Sequence, residues 1–211
     1  MVTTDTREYR SFELREKKTE NEESDGMILE GRAVVFDSPE VMFEDGDVRY
    51  YEQVSRDAFA GAKLDDVILN MNHEGQALAR TRNNTLVLTL TAEGLDVEAD
   101  MSKSQASREA YEAVQNGLLD KMSFAFTVAE DSYDEVTHTR TIEKIDRLFD
   151  VSLVNFPAYE ATSVSARSYF AAKAEAERQA AEAAELAAEA AREREEKRTA
   201  LFEKLNNLEV R

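Results

Sequence analysis

Through the middle of the chain, apolar and polar residues alternate in short runs. In "DKMSFAF", Met122, Phe124 and Phe126 share one face of an extended segment, while the small residues Ser123 and Ala125 share the other. Comparable runs are "MILEGRAVVF", "DVILNMN", "NTLVLTLTA", "GLDVEADM", "MSFAFTVAE", "TRTIEKI" and "LFDVSLVNF". Turn signals such as "DSPE", "RNN" and "AEG" separate several of them. The pattern predicts a β-rich domain from Met27 to about Ser168. Two helices interrupt its strands. "SRDAFAGA" offers Ser55 as an N-cap and Gly61 as a stop. "SQASREAYEAVQNG" offers Ser104 as the cap and Gly117 just past the end. Its Ala106, Ala110, Ala113 and Val114 face the sheet, with Tyr111 alongside.

The two ends differ from this middle. Residues 1–26 are polar, with one strand-like piece, "YRSFELRE", followed by the loop-like run "KKTENEESDG". From about Ser168 onward the chain lacks Gly and Pro and is rich in Ala, Glu, Lys and Arg, all strong helix formers. Glu193 and Lys197 stand at an attractive helical spacing, whereas Glu189 and Glu193 oppose each other. Large apolar residues are scarce until Leu201, Phe202, Leu205 and Leu208. This predicts a long, mostly exposed helix over 169–211, a weak coiled coil unless a partner covers its alanine face. The expected organisation is a polar segment (1–26), a folded domain (27–168) and a helical arm (169–211).

Composition narrows the chemistry. With 211 residues and no cysteine, the chain is long enough for one core but has no disulfide, thiolate zinc site or cysteine nucleophile. Only two histidines are present, His73 and His138, too few for a histidine-rich metal site; a carboxylate-only magnesium or calcium site stays open. The formal net charge of -18 opposes binding to nucleic acid or to an anionic membrane. No apolar run has the length of a membrane span, and the N-terminus lacks a secretory apolar core. A soluble cytosolic protein is expected.

Few residues stand out as candidates for catalysis. His73 follows "VILNMN", and strict alternation would put it on the face of Val67, Leu69 and Met71. There it reads either as a general base or as a structural histidine. His138 lies in a charged hairpin and is expected to be exposed. Ser123 reads as a small packing residue or as a nucleophile. Lys121 shares its face, which leaves a Ser–Lys dyad open. Asp150 sits inside the apolar run "RLFDVSLVNF", on the face of Leu148, Ser152 and Val154 if alternation is unbroken. A carboxylate there must be paired or hydrogen-bonded, either structurally or to orient a histidine. No Gly-rich phosphate loop, dinucleotide fingerprint or G-x-S-x-G elbow is present.

Several segments, in order, resemble the prohead (capsid maturation) proteases of tailed bacteriophages. "GRAVVFDSPE" resembles that family's early strand and turn. "YEQVSRDAFAGA" resembles its E-x-(I/V)-x-x-x-A-F segment. "VILNMNHEGQALARTRNNTLVLTLTAEGLDVEADM" resembles the block with its catalytic histidine, here His73. "AVQNGLLDKMSFAFTV" resembles G-x-(I/L)-x-x-(M/L)-S-(F/I)-G-(F/Y), which places the nucleophile at Ser123. "LFDVSLVNFPAYEATSVSAR" places the acid at Asp150. The likeness spans roughly residues 27–168. Ala125 departs from it, because the family usually has Gly there, and its methyl group narrows the space beside the nucleophile.

The resemblance implies an α+β fold like that of the herpesvirus assemblins, a mostly antiparallel β-barrel flanked by helices. It implies a serine endopeptidase with a His73, Ser123 and Asp150 triad, and oxyanion donors near Ala158 and Tyr159. No cofactor is required. The implied substrates are the scaffold segment of the major capsid protein and the protease itself, inside the assembling prohead in the host cytoplasm. The helical arm would recruit the enzyme to scaffold helices, and self-association into a homo-oligomer is also suggested. A catalytically inactive scaffold or assembly protein with the same fold is the alternative.

Overall fold

The computed structural model describes residues 7–16, 26–155 and 164–209. The chain divides into two compact units, Met1–Ser168 and Tyr169–Arg211. The first is α+β and consists mostly of strands. These are β1 (Glu8–Glu16), β2 (Ile28–Val35), β3 (Glu40–Asp45), β4 (Val48–Val54), β5 (Ile68–Met71), β6 (Glu74–Arg80), β7 (Leu86–Leu90), β8 (Gly94–Asp100), β9 (Lys121–Asp134) and β10 (Thr139–Val154). One helix, α1 (Gln105–Gln115), lies between β8 and β9.

The hydrogen-bonded path runs β3-β4-β10-β9-β1-β2-β8-β7, and β5 pairs with both β10 and β6. Among the described residues no closed barrel is found: the hydrogen-bonded path ends at β3 and β7, and its branch through β5 ends at β6. Most pairings are antiparallel. The exception is β10, which runs parallel to β4 near its start and to β5 near its end. It therefore borders β9 along one edge and two shorter strands along the other. That position buries it on many sides, as its apolar run "LFDVSLV" requires.

The polar N-terminal segment contributes a strand to the interior of this sheet, since β1 pairs with β9 on one side and β2 on the other. Its charges are accommodated by a buried network. Arg10 Nε donates to Glu52 at 2.5 Å and Arg10 Nη2 to Glu8 at 2.7 Å. Arg140 donates to Glu8 at 2.9 Å, to Glu52 at 3.0 Å and, through Nε, to Asp131 at 2.6 Å. Burial alone would push the Glu8 carboxyl up, but Arg140 and Arg10 outweigh it and hold it below the ordinary carboxylate value. Burial likewise opposes the charge on both arginines, yet the carboxylates hold them above the usual guanidinium value.

Helix α1 forms as its sequence predicts. Ser104 caps it, accepting from the Ser107 N–H at 3.1 Å, and Ala110, Tyr111 and Val114 are buried with Ser107. The Ser107 hydroxyl donates to Leu78 O at 2.7 Å and so ties α1 to β6. Gly94 is required by close approach, because a Cβ there would lie 1.9 Å from Val34 O.

Four local expectations change. The predicted helix at 55–61 is instead a chain of turns, with Ala58 N–H donating to Ser55 O, Ala60 to Asp57 and Ala62 to Phe59. These place Ala58 and Phe59 in the core without a helical cylinder. "TRTIEKI" and "LFDVSLVNF" belong to a single strand of 16 residues rather than two. The β3–β4 hairpin and β6 are additional strands. His138 is half-buried, its ring 5.1 Å from that of Tyr50, in a turn at φ 51°.

The second unit is one helix: α2 (Val164–Glu209) has 46 residues, most of them in this unit, and a length of roughly 69 Å. Its described surface carries charge pairs one turn apart, among them Lys197 with Glu193 at 2.5 Å and Arg178 with Glu175 at 2.7 Å. Among the described residues no helix is long and apolar enough to cross a membrane.

Candidate active site

The two faces of β9 have separate tasks. Met122, Phe124 and Phe126 are each at most 2 % exposed and fill the core. On the other face, Ser123 lies opposite Ser152 of β10 and Ser11 of β1, and Ala125 opposite Asp150 and Tyr9. Residues directly opposite each other in a sheet share a face. The small side chains of β9 thus leave room for Asp150 and Ser152, and for the rings that pack over them.

A bulge sets the direction of Asp150. Leu148 pairs with Phe126, and Asp150 pairs with Ala125, so Phe149 is an extra residue on β10. Unbroken alternation would put Leu148 and Asp150 on one face. The extra residue separates them: Leu148 joins the core with Phe126, and Asp150 turns to the face of Ser123. Arg7 sits over the Phe149 ring at 4.1 Å.

His73 occupies neither face of β5. Asn72 and His73 are the two central residues of the β5–β6 hairpin, with Met71 paired to Glu74. Both have positive φ, 48° and 60°, the signature of a type I′ turn. For a histidine this conformation is uncommon and strained. The turn is clamped to β10: Asn72 N–H donates to Leu153 O at 2.9 Å, His73 N–H to Ser152 Oγ at 3.1 Å, and Asn155 N–H to Asn72 Oδ1 at 3.2 Å. The expectation that His73 shares a face with Val67, Leu69 and Met71 is therefore corrected. The hairpin turn swings its ring over β10 and β9.

The ring meets both candidate partners. Its Nδ1 lies 2.6 Å from Asp150 Oδ1 and its Nε2 2.9 Å from Ser123 Oγ. The Tyr9 ring packs edge-on at 4.5 Å between centroids. A carboxylate can only accept, so Nδ1 carries the proton in that contact. In the neutral ring Nε2 then presents a lone pair to the Ser123 hydroxyl. A hydroxyl, an imidazole acceptor and an orienting carboxylate in sequence constitute the apparatus for nucleophilic attack with general-base assistance. Asp150 is 4 % exposed and Ser123 only 1 %.

Sequence reasoning singled out His73, Ser123 and Asp150, and the fold brings all three together. Lys121 lies on the same strand as Ser123, two residues away. Ala158 and Tyr159 lie outside the described residues. Tyr9, Asn70 and Ser152 were not singled out as site residues. For Ser152 a signal existed, since it alternates with Asp150; for Tyr9 and Asn70 the sequence carried none. Among the described residues, no group of three or more His, Asp or Glu side chains is placed to hold a metal ion.

The family model described as caudovirus prohead serine protease matches residues 12–176, which include all three of these residues. Comparison with curated proteins and with solved structures gave no match. The matched span is most of the chain, and the family is one of serine peptidases acting on capsid protein within the assembling phage head. The chain belongs to the caudovirus prohead serine proteases.

Proposed function

We propose that the protein is a serine endopeptidase that works through a Ser123, His73 and Asp150 triad. One observation carries this reading: a continuous hydrogen-bonded series, Asp150 to His73 at 2.6 Å and His73 to Ser123 at 2.9 Å. Ser123 Oγ attacks the scissile carbonyl while its proton passes to His73 Nε2. Asp150 stabilises the imidazolium that forms. The proton then goes to the leaving amine as the C–N bond breaks, leaving an acyl ester on Ser123. Water, deprotonated by His73, cleaves that ester and restores the hydroxyl. With Ser123 so little exposed, a scissile carbonyl reaches Oγ only after neighbouring groups give way. Donors near Ala158 and Tyr159 are proposed to hold the oxyanion.

The proposed substrates are the scaffold segment of the capsid protein and the protease itself. Residues 27–168, with β1 completing the sheet, form the proposed catalytic domain, and 169–211 the arm that pairs with scaffold helices. The reading includes an assemblin-like barrel. Its support is the pairing order, which leads from β10 through β9, β1, β2 and β8 to β7 and from β10 through β5 to β6, together with the proximity of β6 and β7.

The test is incubation of the purified chain with its capsid protein, with Ser123→Ala and His73→Ala in parallel. Loss of cleavage in both supports the triad. Cleavage retained by Ser123→Ala removes the nucleophile assignment. Cleavage retained by His73→Ala alone favours the Ser123–Lys121 dyad. An unmutated protein that cleaves nothing yet supports head assembly fits the inactive scaffold.

A further inference from the structure

Ser152 is fully buried, and its hydroxyl lies where three elements of the site meet. Its oxygen accepts from the backbone N–H of His73 at 3.1 Å. Its single proton faces two acceptors, Asp150 Oδ1 at 2.8 Å and Asn70 Oδ1. The Nδ1 atom of His73 is 3.1 Å away. Asn70, on β5, is itself only 3 % exposed. One hydroxyl thus joins the carboxylate, the strand leading into the histidine turn and the backbone of the turn itself.

That placement is more than packing requires. His73 sits in a left-handed turn that a histidine rarely adopts, so its ring direction depends on what clamps the turn. Of the bonds from the His73–Asn72 turn to β10, the one made by the His73 N–H itself goes to a side chain, that of Ser152. The same side chain fixes the carboxylate oxygen that receives His73 Nδ1–H. Removing the hydroxyl would loosen both ends of the Asp150–His73 contact at once. It would leave Ser123 and the core face of β9 as they are.

We infer that Ser152, supported by Asn70, is a positioning residue that holds the His73 turn and the Asp150 carboxylate in their working geometry. It touches no reacting atom and acts through His73 and Asp150. The inference rests on the triad reading above.

The experiment compares Ser152→Ala, Asn70→Ala, their double variant and Ser152→Cys with the unmutated chain and Ser123→Ala, using the purified capsid protein as substrate. Rates are normalised to the folded fraction by circular dichroism. The low-field proton resonance of His73 Nδ1–H is recorded for each. For Ser152→Ala, kcat should fall about 10-fold, the loss expected from one hydrogen bond to a charged group, with KM essentially unchanged. The low-field resonance should shift or broaden. Asn70→Ala should give a smaller change in the same direction, and the double variant should be no worse than Ser152→Ala, as expected of residues acting as a unit. Ser152→Cys, which keeps the volume with a weaker donor, should fall between Ser and Ala, and it replaces Ser152→Ala if that variant does not fold. An unchanged kcat with an unmoved resonance overturns the inference, as does a rise in KM alone or a loss that merely tracks the folded fraction. Cleavage by Ser123→Ala would overturn the triad itself, whereas a dead Ser123→Ala beside a fully active Ser152→Ala would overturn only the role of Ser152.

Discussion

Two polar clusters, mostly buried, share strands β9 and β10. One joins Ser123, His73, Asp150, Ser152 and Asn70; the other joins Glu8, Arg10, Glu52, Arg140 and Asp131. Their burial is similar, with Asp150, Glu8 and Glu52 all between 4 % and 6 % exposed. Their proton inventories are not. The arginines have only donors and the ionised carboxylates only acceptors, so the side-chain contacts that join these five residues are made between opposite charges. The first contains an imidazole that can take a proton and give it back, and a hydroxyl that becomes nucleophilic when its proton leaves. Burial of polar groups therefore does not distinguish an active site from a structural network. The presence of a group whose protonation can change during a reaction does.

The sharpest way to break this comparison is a crossed pair of substitutions. Ser123→Ala should cut the cleavage rate on the order of 10⁴- to 10⁶-fold while leaving the thermal midpoint in place. Arg140→Met should do the reverse. It leaves Glu8 and Glu52 buried with less positive charge and should cost about 3–5 kcal/mol, measured by urea unfolding, with the site chemistry retained in the folded fraction. If Arg140→Met proves as stable as the parent, the second cluster is not the structural element described.

The acid dependence of stability sharpens the same contrast. Glu8 ionises more readily in the folded chain than in the unfolded one. Its contribution is therefore present above the ordinary carboxylate pKa and is lost as pH falls through the depressed folded value. Glu8→Gln should flatten the decline in stability below about pH 4.5, the ordinary value. Unfolding midpoints measured across that range, and unchanged by the substitution, would assign the acid sensitivity to other carboxylates. The two arginines are held above the ordinary guanidinium value, so their pairing is intact throughout the usable range.

The smallest expected effect is at Tyr9, where the N-terminal strand reaches the first cluster. An edge-on ring contact of this kind is worth about 0.5–1.5 kcal/mol, so Tyr9→Leu should lower kcat roughly 2- to 10-fold. Steady-state kinetics on the capsid protein would show it. An unaltered kcat would confine β1 to a structural role.

Much of this was legible in the chain. Short alternating runs announced β2, β7, β8 and β9, and Ser104 announced the start of α1, because those elements depend on local spacing and a local cap. The hairpin β3–β4 was harder to see, since "EVMFEDGDVRYYEQV" mixes charges into its alternation, although Asp45-Gly46-Asp47 marked its turn. Strand β6 is missed because "EGQALAR" has few apolar residues, and β6 forms through its pairing with β5. At 55–61 good helical residues form turns, because the backbone there bonds into β10 instead: Ser55 N–H donates to Ile142 O and Ile145 N–H to Ala58 O.

By itself, the sequence narrowed the candidates for the chemistry to a few residues. Without cysteine or a phosphate loop, and with two histidines, the choices were few, and the ordered likeness to a protease family named His73, Ser123 and Asp150. How they meet was decided only by the tertiary structure. The Phe149 bulge turns Asp150 away from Leu148, and the left-handed hairpin turn lifts His73 off its own strand. The pairing of β1 with β9 brings Tyr9 to the ring. Each depends on which strand lies next to which and in what register, and pairing between strands leaves no mark in the local pattern that predicts a strand.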